Sequence, residues 1–224
     1  MKYSFISLFI FSTLFISCSS SDIKKFSTKT KDETKKVVDK YKGNSPRIIP
    51  DNEDSVVVSE DIKNALKLQN EARRDVGIED KYKLLWSDTI AKDAKSYADE
   101  LAQSGRFEHD TKRNHASFED GGYKNGPYGE NLYAYFNSNG SVPSYSVAIR
   151  SWLDEKDNYN GGVIRGDESE CSGGQCGHYT QIVWRYTTRV GCARSQYKSG
   201  KFKGGYVIVC KYKTPGNVIG ESPY

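Results

Sequence analysis

Apolar and polar positions follow a clear period only beyond about residue 56. Ser59, followed by Glu60 and Asp61, predicts a helix start, because a serine oxygen and early carboxylates satisfy the unpaired N–H groups of a first turn. The stripe Ile62, Leu66, Gln69, Ala72 and Val76 has helical spacing and stops at Gly77. A second helix is predicted from Ser87, with Ile90, Ala91, Ala94, Tyr97, Ala98 and Leu101 in its stripe and Gly105 as its stop. Residues 106–143 hold much Gly, Asn and Pro without a sustained period and read as a long loop. From Ser144 a third helix sets Ala148, Trp152 and Glu155 at i, i+4 and i+7, which puts a carboxylate beside a large aromatic. A buried acid there needs a partner or a raised pKa.

After a Gly-rich loop the period changes to two. Strands are expected over residues 177–185, 189–197 and 205–212. In the first, His178, Thr180, Ile182 and Trp184 share one face, and Tyr179, Gln181 and Val183 the other. Both faces carry apolar groups, so both are expected to be covered. In the next two strands Cys192 and Cys210 lie equidistant from Lys201, which makes them candidate cross-strand neighbours within disulfide reach. Cys171 and Cys176 would then staple the Gly-rich loop. A four-cysteine zinc site is the rival reading, although the spacings are not paired CxxC.

Composition changes the picture mainly at the N-terminus. Lys2, the apolar run from Phe5 to Ile16 and the small residues around Ser17 read as a secretory signal whose core is too short to span a bilayer. Leu14-Phe15-Ile16-Ser17-Cys18 resembles a bacterial lipobox, which makes Cys18 the expected lipidation site; a plain signal peptide with an incidental cysteine is the alternative. Removing Cys18 from the five cysteines leaves four, an even number suited to disulfides in an oxidising compartment. Residues 19–55 are too polar to offset chain entropy and read as a tether. The expected organisation is a signal peptide at 1–17, a disordered tether at 18–55 and one domain at 56–224. The formal charge is +4, of which residues 22–54 supply +2, with nine Lys/Arg against seven Asp/Glu. The domain is therefore nearly neutral, which argues against a nucleic-acid partner.

Three stretches carry a resemblance. Cys176-Gly177-His178-Tyr179-Thr180-Gln181-Ile182-Val183-Trp184-Arg185, the run from Tyr206 to Tyr212 followed by Thr214-Pro215-Gly216-Asn217, and Gly129-Glu130-Asn131-Leu132 closely resemble the signatures of the CAP superfamily. That superfamily, also called SCP domains, groups cysteine-rich secretory proteins, antigen-5 allergens and plant pathogenesis-related class 1 proteins. The resemblance spans roughly Glu60 to Tyr224 and implies an α+β fold, a three-layer α-β-α sandwich with a central antiparallel sheet. It also implies the pairs Cys171 with Cys176 and Cys192 with Cys210. Gln69 stands where many members have a histidine, and the segment between His109 and Glu130 is longer than the usual link.

The resemblance further implies a cavity holding His109, Glu130, Glu155 and His178. Two imidazoles converging with water suit Zn²⁺ or another divalent ion, with His109 and His178 as ligands and the carboxylates orienting them or taking a proton. His115 matches no motif position and reads as a solvated loop residue. Tyr179, Ile182, Val183 and Trp184 read as core, Asn131 and Gln181 as backbone partners in an irregular region, and the tyrosines from Tyr123 to Tyr135 as a possible groove rim. No HExxH, GxSxG or phosphate loop is present, so no residue is assigned a catalytic role. The leading expectation is an exported, lipid-anchored domain, membrane-bound or extracellular, that binds a lipid or sterol-like ligand or an envelope or host surface protein. The alternatives are a metal-dependent hydrolase using the same four residues and a structural surface domain.

Overall fold

The computed structural model describes residues 59–111, 128–137 and 139–224. The Ser59 hydroxyl accepts from the Ile62 amide at 3.4 Å and opens helix α1 (Glu60–Asp75), whose last turn precedes Gly77. Ser87 caps α2 (Asp88–Ser104) in the same way, and Gly105 ends it in the left-handed region at φ 74°. Ser144 precedes α3 (Tyr145–Asp154). Four strands, β1 (Leu85–Trp86), β2 (Gly129–Tyr135), β3 (Arg189–Gln196) and β4 (Tyr206–Lys213), form a sheet in the order β1-β3-β4-β2. β4 pairs antiparallel with both neighbours, and the short β1 pairs parallel with β3.

Helix α2 covers one face of the sheet, and α1, α3 and a fourth helix cover the other. The alternation along β4 assigns its side chains accordingly. Val207, Val209 and Lys211 face α2, whereas Ile208, Cys210 and Tyr212 enter the core with Trp152, Tyr179 and Ile182. Gly191 lets α2 come this close, since a Cβ there would lie 2.2 Å from the Ala91 amide nitrogen. The result is the α-β-α sandwich that the resemblance implies. Cys192 and Cys210 are directly opposed in the β3/β4 register and bonded, and Cys171 is bonded to Cys176. By loop length, the first of these bridges is worth about 3 kcal/mol. The sheet, both cores and both disulfides described here lie within residues 59–224.

Four expectations need correction. Residues 177–185 are not a strand: Gly177–Ile182 forms a short helix, α4. Its residues Tyr179 to Ile182 are all buried, so apolar groups point in every direction and imitate a strand covered on both faces. Glu155 does not lie on the third helix. That helix ends at Asp154, and Glu155 begins the 3-10 turn Glu155–Asn158. Residues 106–143 are not all loop, because they contain β2, an edge strand. Asn131 lies in β2 and Gln181 in α4, neither in an irregular segment. Cys18, His115, Tyr123 and the tether lie outside the described residues. Among the described residues no helix is long and apolar enough to cross a membrane.

The most constrained side chain is one that the apolar stripe of α1 did not single out. Arg73 is 1% exposed, and no described carboxylate lies within ion-pair distance of it. Its guanidinium donates instead to the carbonyls of Ile182 (2.9 Å), Trp184 (2.7 Å), Tyr82 (2.9 Å) and Thr187 (3.1 Å). One side chain thereby gathers the end of α4, the turn into β3 and the 3-10 turn Asp80–Tyr82. Arg73→Met leaves these buried acceptors unsatisfied and is expected to lower the unfolding free energy by about 3–5 kcal/mol. The measurement is a fall in urea midpoint at unchanged slope.

Candidate functional site

The start of α4 is organised by one carboxylate. Glu155 Oε2 accepts from the backbone amides of His178 (3.0 Å) and Tyr179 (3.3 Å), two of the donors that a helix leaves unpaired in its first turn. Its other oxygen, Oε1, lies 2.6 Å from His178 Nδ1. A carboxylate only accepts, so Nδ1 carries the proton of this bond and Nε2 is the ring nitrogen left open. The Trp152 ring stacks on this imidazole with centroids 5.7 Å apart, and its indole N–H donates to the Leu132 carbonyl of β2 at 3.3 Å. Asn131 donates from Nδ2 to the His178 carbonyl at 3.1 Å. His178 is thus held through ring, amide and carbonyl by three different elements.

His109 is held by the same device on the other face of the sheet. Glu130 Oε1 lies 2.8 Å from His109 Nδ1 and accepts the Asp110 amide at 3.0 Å. Glu130 stands opposite Lys211 in the β2/β4 register, and Lys211 is fully buried. Its ammonium donates to Asp93 of α2 at 2.7 Å and to Asp110 at 2.8 Å, and it lies 3.9 Å from Glu130 Oε2. The Tyr97 and Tyr128 rings flank it at 5.4 and 5.8 Å. Burial, followed by the charges of Glu130 and Asp110, pushes the Tyr97 phenol far above its ordinary pKa. It stays neutral and donates to the Glu108 carbonyl at 2.7 Å, fixing the backbone one residue before His109.

The four residues therefore form two like-built pairs on either side of the start of an edge strand. Successive strand residues leave on opposite faces, so Glu130 belongs to the α2 side and Asn131 to the α4 side. His109 and His178 keep 39% and 20% of their side chains exposed, whereas Glu130 and Glu155 keep 2% and 13%. The carboxylates are structural anchors, and the imidazole edges face outward. Among the described residues no group of three or more His, Cys, Asp and Glu side chains is placed to hold a metal ion. An imidazole oriented by a carboxylate at Nδ1 is nonetheless the form in which histidine presents Nε2 to a metal, so His109 and His178 each have the chemistry of an ion ligand, one on either side of the strand.

Gln69, at the position where relatives of the resemblance carry histidine, is fully buried; it accepts from the Tyr212 hydroxyl at 2.9 Å and donates to the Ala65 carbonyl at 3.3 Å. Gln181 accepts the Gly216 amide at 2.7 Å and presses on Gly129, where a Cβ would lie 1.8 Å from its Oε1. Sequence reading missed Lys211, Asp93 and Asp110. The available signal was a lysine in the otherwise apolar alternation of β4, at a position facing α2.

A layered α-β-α domain with two carboxylate-held histidines flanking one strand defines the class. The chain belongs to the CAP family, described as the cysteine-rich secretory protein family, whose profile matches residues 66–212. It is 41% identical over 160 residues to pathogenesis-related protein 1A of Nicotiana tabacum, covering 71% of this chain and 78% of the relative. Pathogenesis-related protein PRMS of Zea mays is 36% identical over 157 residues, covering 70% and 78%. Among solved structures, Schistosoma mansoni venom allergen-like protein 4 aligns with TM-score 0.51 and 26% identity over 75% of this chain and 95% of that one. NaASP2, solved with Zn²⁺, shares the fold at TM-score 0.54 and 22% identity, over 78% of this chain and 88% of that one.

Removing the buried cation takes from Asp93, Asp110 and Glu130 the ammonium that all three approach. Lys211→Met is expected to destabilise the domain by about 3–5 kcal/mol. Urea unfolding measures this, and Lys211→Met combined with Asp93→Asn and Asp110→Asn should recover part of the loss.

Proposed function

We propose that this CAP domain is exported and acts by binding, through the region framed by His109–Glu130 and His178–Glu155. The ligand is a lipid or sterol-like molecule or an envelope or host surface partner. The observation that carries this reading is the commitment of both carboxylates to holding an imidazole and a backbone amide. Groups so engaged build and orient a recognition surface. The four described cysteines are oxidised, so none is a thiolate nucleophile. Two disulfides and kinship with a family named for secretion support export. Binding that stays at background against a panel of lipids, envelope glycans and surface proteins overturns this reading.

His109 and His178 are the residues that would hold a divalent ion, and the Zn²⁺ in NaASP2 supports asking this of the present chain. The ion would supply Lewis-acid polarisation of a bound group. Metal-dependent hydrolysis is the second reading, favoured by the same carboxylate–imidazole pairs, with Glu130 or Glu155 as general base. Calorimetric titration with Zn²⁺ is expected to show about one site in the wild type, and none in His109→Ala/His178→Ala. If the wild type takes up no Zn²⁺, the metal and the hydrolytic reading both fall.

Cys18 is proposed as the lipidated first residue of the mature protein, anchoring the domain through the tether at 18–55. Metabolic labelling with a fatty acid should mark the wild type and not Cys18→Ala, which should also leave the membrane fraction. An unlabelled wild type refutes the anchor.

A further inference from the structure

The edge of the domain remote from the His–Glu pairs carries a second feature. Between β3 and β4 the chain reads Lys198-Ser199-Gly200-Lys201-Phe202-Lys203, three lysines within six residues. The tip is held rigidly. The Lys198 amide donates to the Ala102 carbonyl at 2.9 Å, and the Ser199 hydroxyl donates to the Gln103 carbonyl at 2.7 Å, both at the end of α2. Phe202 turns inward, its ring 5.1 Å from Tyr197 and 5.8 Å from Phe107, with the Lys201 ammonium 4.9 Å above it, and all three lysines are exposed. Beside the tip an open groove of about 670 Å³ runs between α2 and β3, lined in part by Lys95, Val142, Arg194, Lys198 and Tyr206.

Two large apolar side chains stand out of the same edge. Phe136 is 71% exposed and Val142 is 59% exposed. The turn between them is drawn shut by Asn137, whose Nδ2 donates to the Ser141 hydroxyl at 2.8 Å and to its carbonyl at 3.1 Å. Val142 lines the groove with Lys198, and Phe136 lies against Gly205, two residues past Lys203. The charge is one-sided. Lys95 is paired with Asp99 and Arg194 with Asp61, but no described carboxylate lies within ion-pair distance of Lys198, Lys201 or Lys203.

Uncompensated lysines interleaved with projecting apolar groups suit a surface that is anionic on the outside and apolar just beneath. We propose that this edge docks the domain on an anionic lipid bilayer, with the lysines at the headgroups and Phe136 and Val142 entering the acyl boundary. An acidic polymer would use the lysines and leave the two apolar groups without a role. The docking surface is independent of the His–Glu site and of any acyl group at Cys18.

The test uses residues 56–224, which hold every described element of the fold, so that neither signal nor tether contributes. Sedimentation is measured with vesicles of phosphatidylcholine alone and of an equimolar phosphatidylcholine/phosphatidylglycerol mixture. Wild type is expected to bind only the anionic vesicles. Lys198→Gln/Lys201→Gln/Lys203→Gln should lose about fivefold per lysine, roughly a hundredfold together. Phe136→Ser/Val142→Ser should lose about tenfold at unchanged charge. Lys67→Gln/Lys81→Gln/Lys83→Gln, which removes the same charge elsewhere, should bind as wild type. Absence of binding to anionic vesicles overturns the proposal, as does equal loss in the two lysine triples. An unaffected Phe136/Val142 variant, with heparin retention lost only in the tip triple, assigns the edge to an acidic polymer instead.

Discussion

Lys211 is the point on which the site depends. Burying an ammonium costs several kcal/mol unless charge and geometry compensate it. Here the compensation is spread over three segments: Asp93 from α2, Asp110 from the chain leaving α2, and Glu130 from the edge strand. The cluster therefore locks β2 to β4 and α2 to the sheet at one depth, and Glu130 is left with a single free choice, the direction of Oε1. That oxygen takes His109 and the Asp110 amide together. The histidine is positioned by an electrostatic knot beneath it and owes little to its own loop.

The opposite pair reaches the same end by different means. Among the described residues no buried cation stands under Glu155. Its partners are the first amides of α4, whose partial positive charge supplies what Lys211 supplies on the other face. Arg73 then closes the other end of that helix by collecting the carbonyls from Ile182 onward. A six-residue helix has too few internal hydrogen bonds to stand alone. It exists because a carboxylate holds its start and a guanidinium holds its end.

Those tertiary clamps explain what was legible in the sequence. The three longer helices announced themselves through Ser59, Ser87, Ser144 and the glycines that stop two of them; Ser59 and Ser87 cap through their hydroxyls, whereas Ser144 marks its helix start without a side-chain bond. The β3/β4 hairpin was legible through alternation, and its cysteines fall in register. Helix α4 was not, because its stabilising partners lie about two dozen residues or more away and its buried residues carry no period. The site was legible only through resemblance. His109 and Glu130 are 21 residues apart and Glu155 and His178 are 23 apart, with nothing local to join them. The lysine beneath the first pair was overlooked because a charge inside an apolar strand is read as an exposed edge position unless its partners are known.

The location of the two pairs at the start of β2 has a further physical logic. β2 is an edge strand, and an edge strand with open backbone groups invites pairing with another chain. In this domain the groups that hold the histidines also occupy that strand: the Trp152 indole binds the Leu132 carbonyl, and the Asn131 side chain ties the strand to α4. Gly129, pressed by Gln181, fixes where the strand begins. The groups that hold the histidines and the cover of the sheet edge are therefore one construction. A substitution that loosens the His–Glu pairs is expected also to uncover the edge.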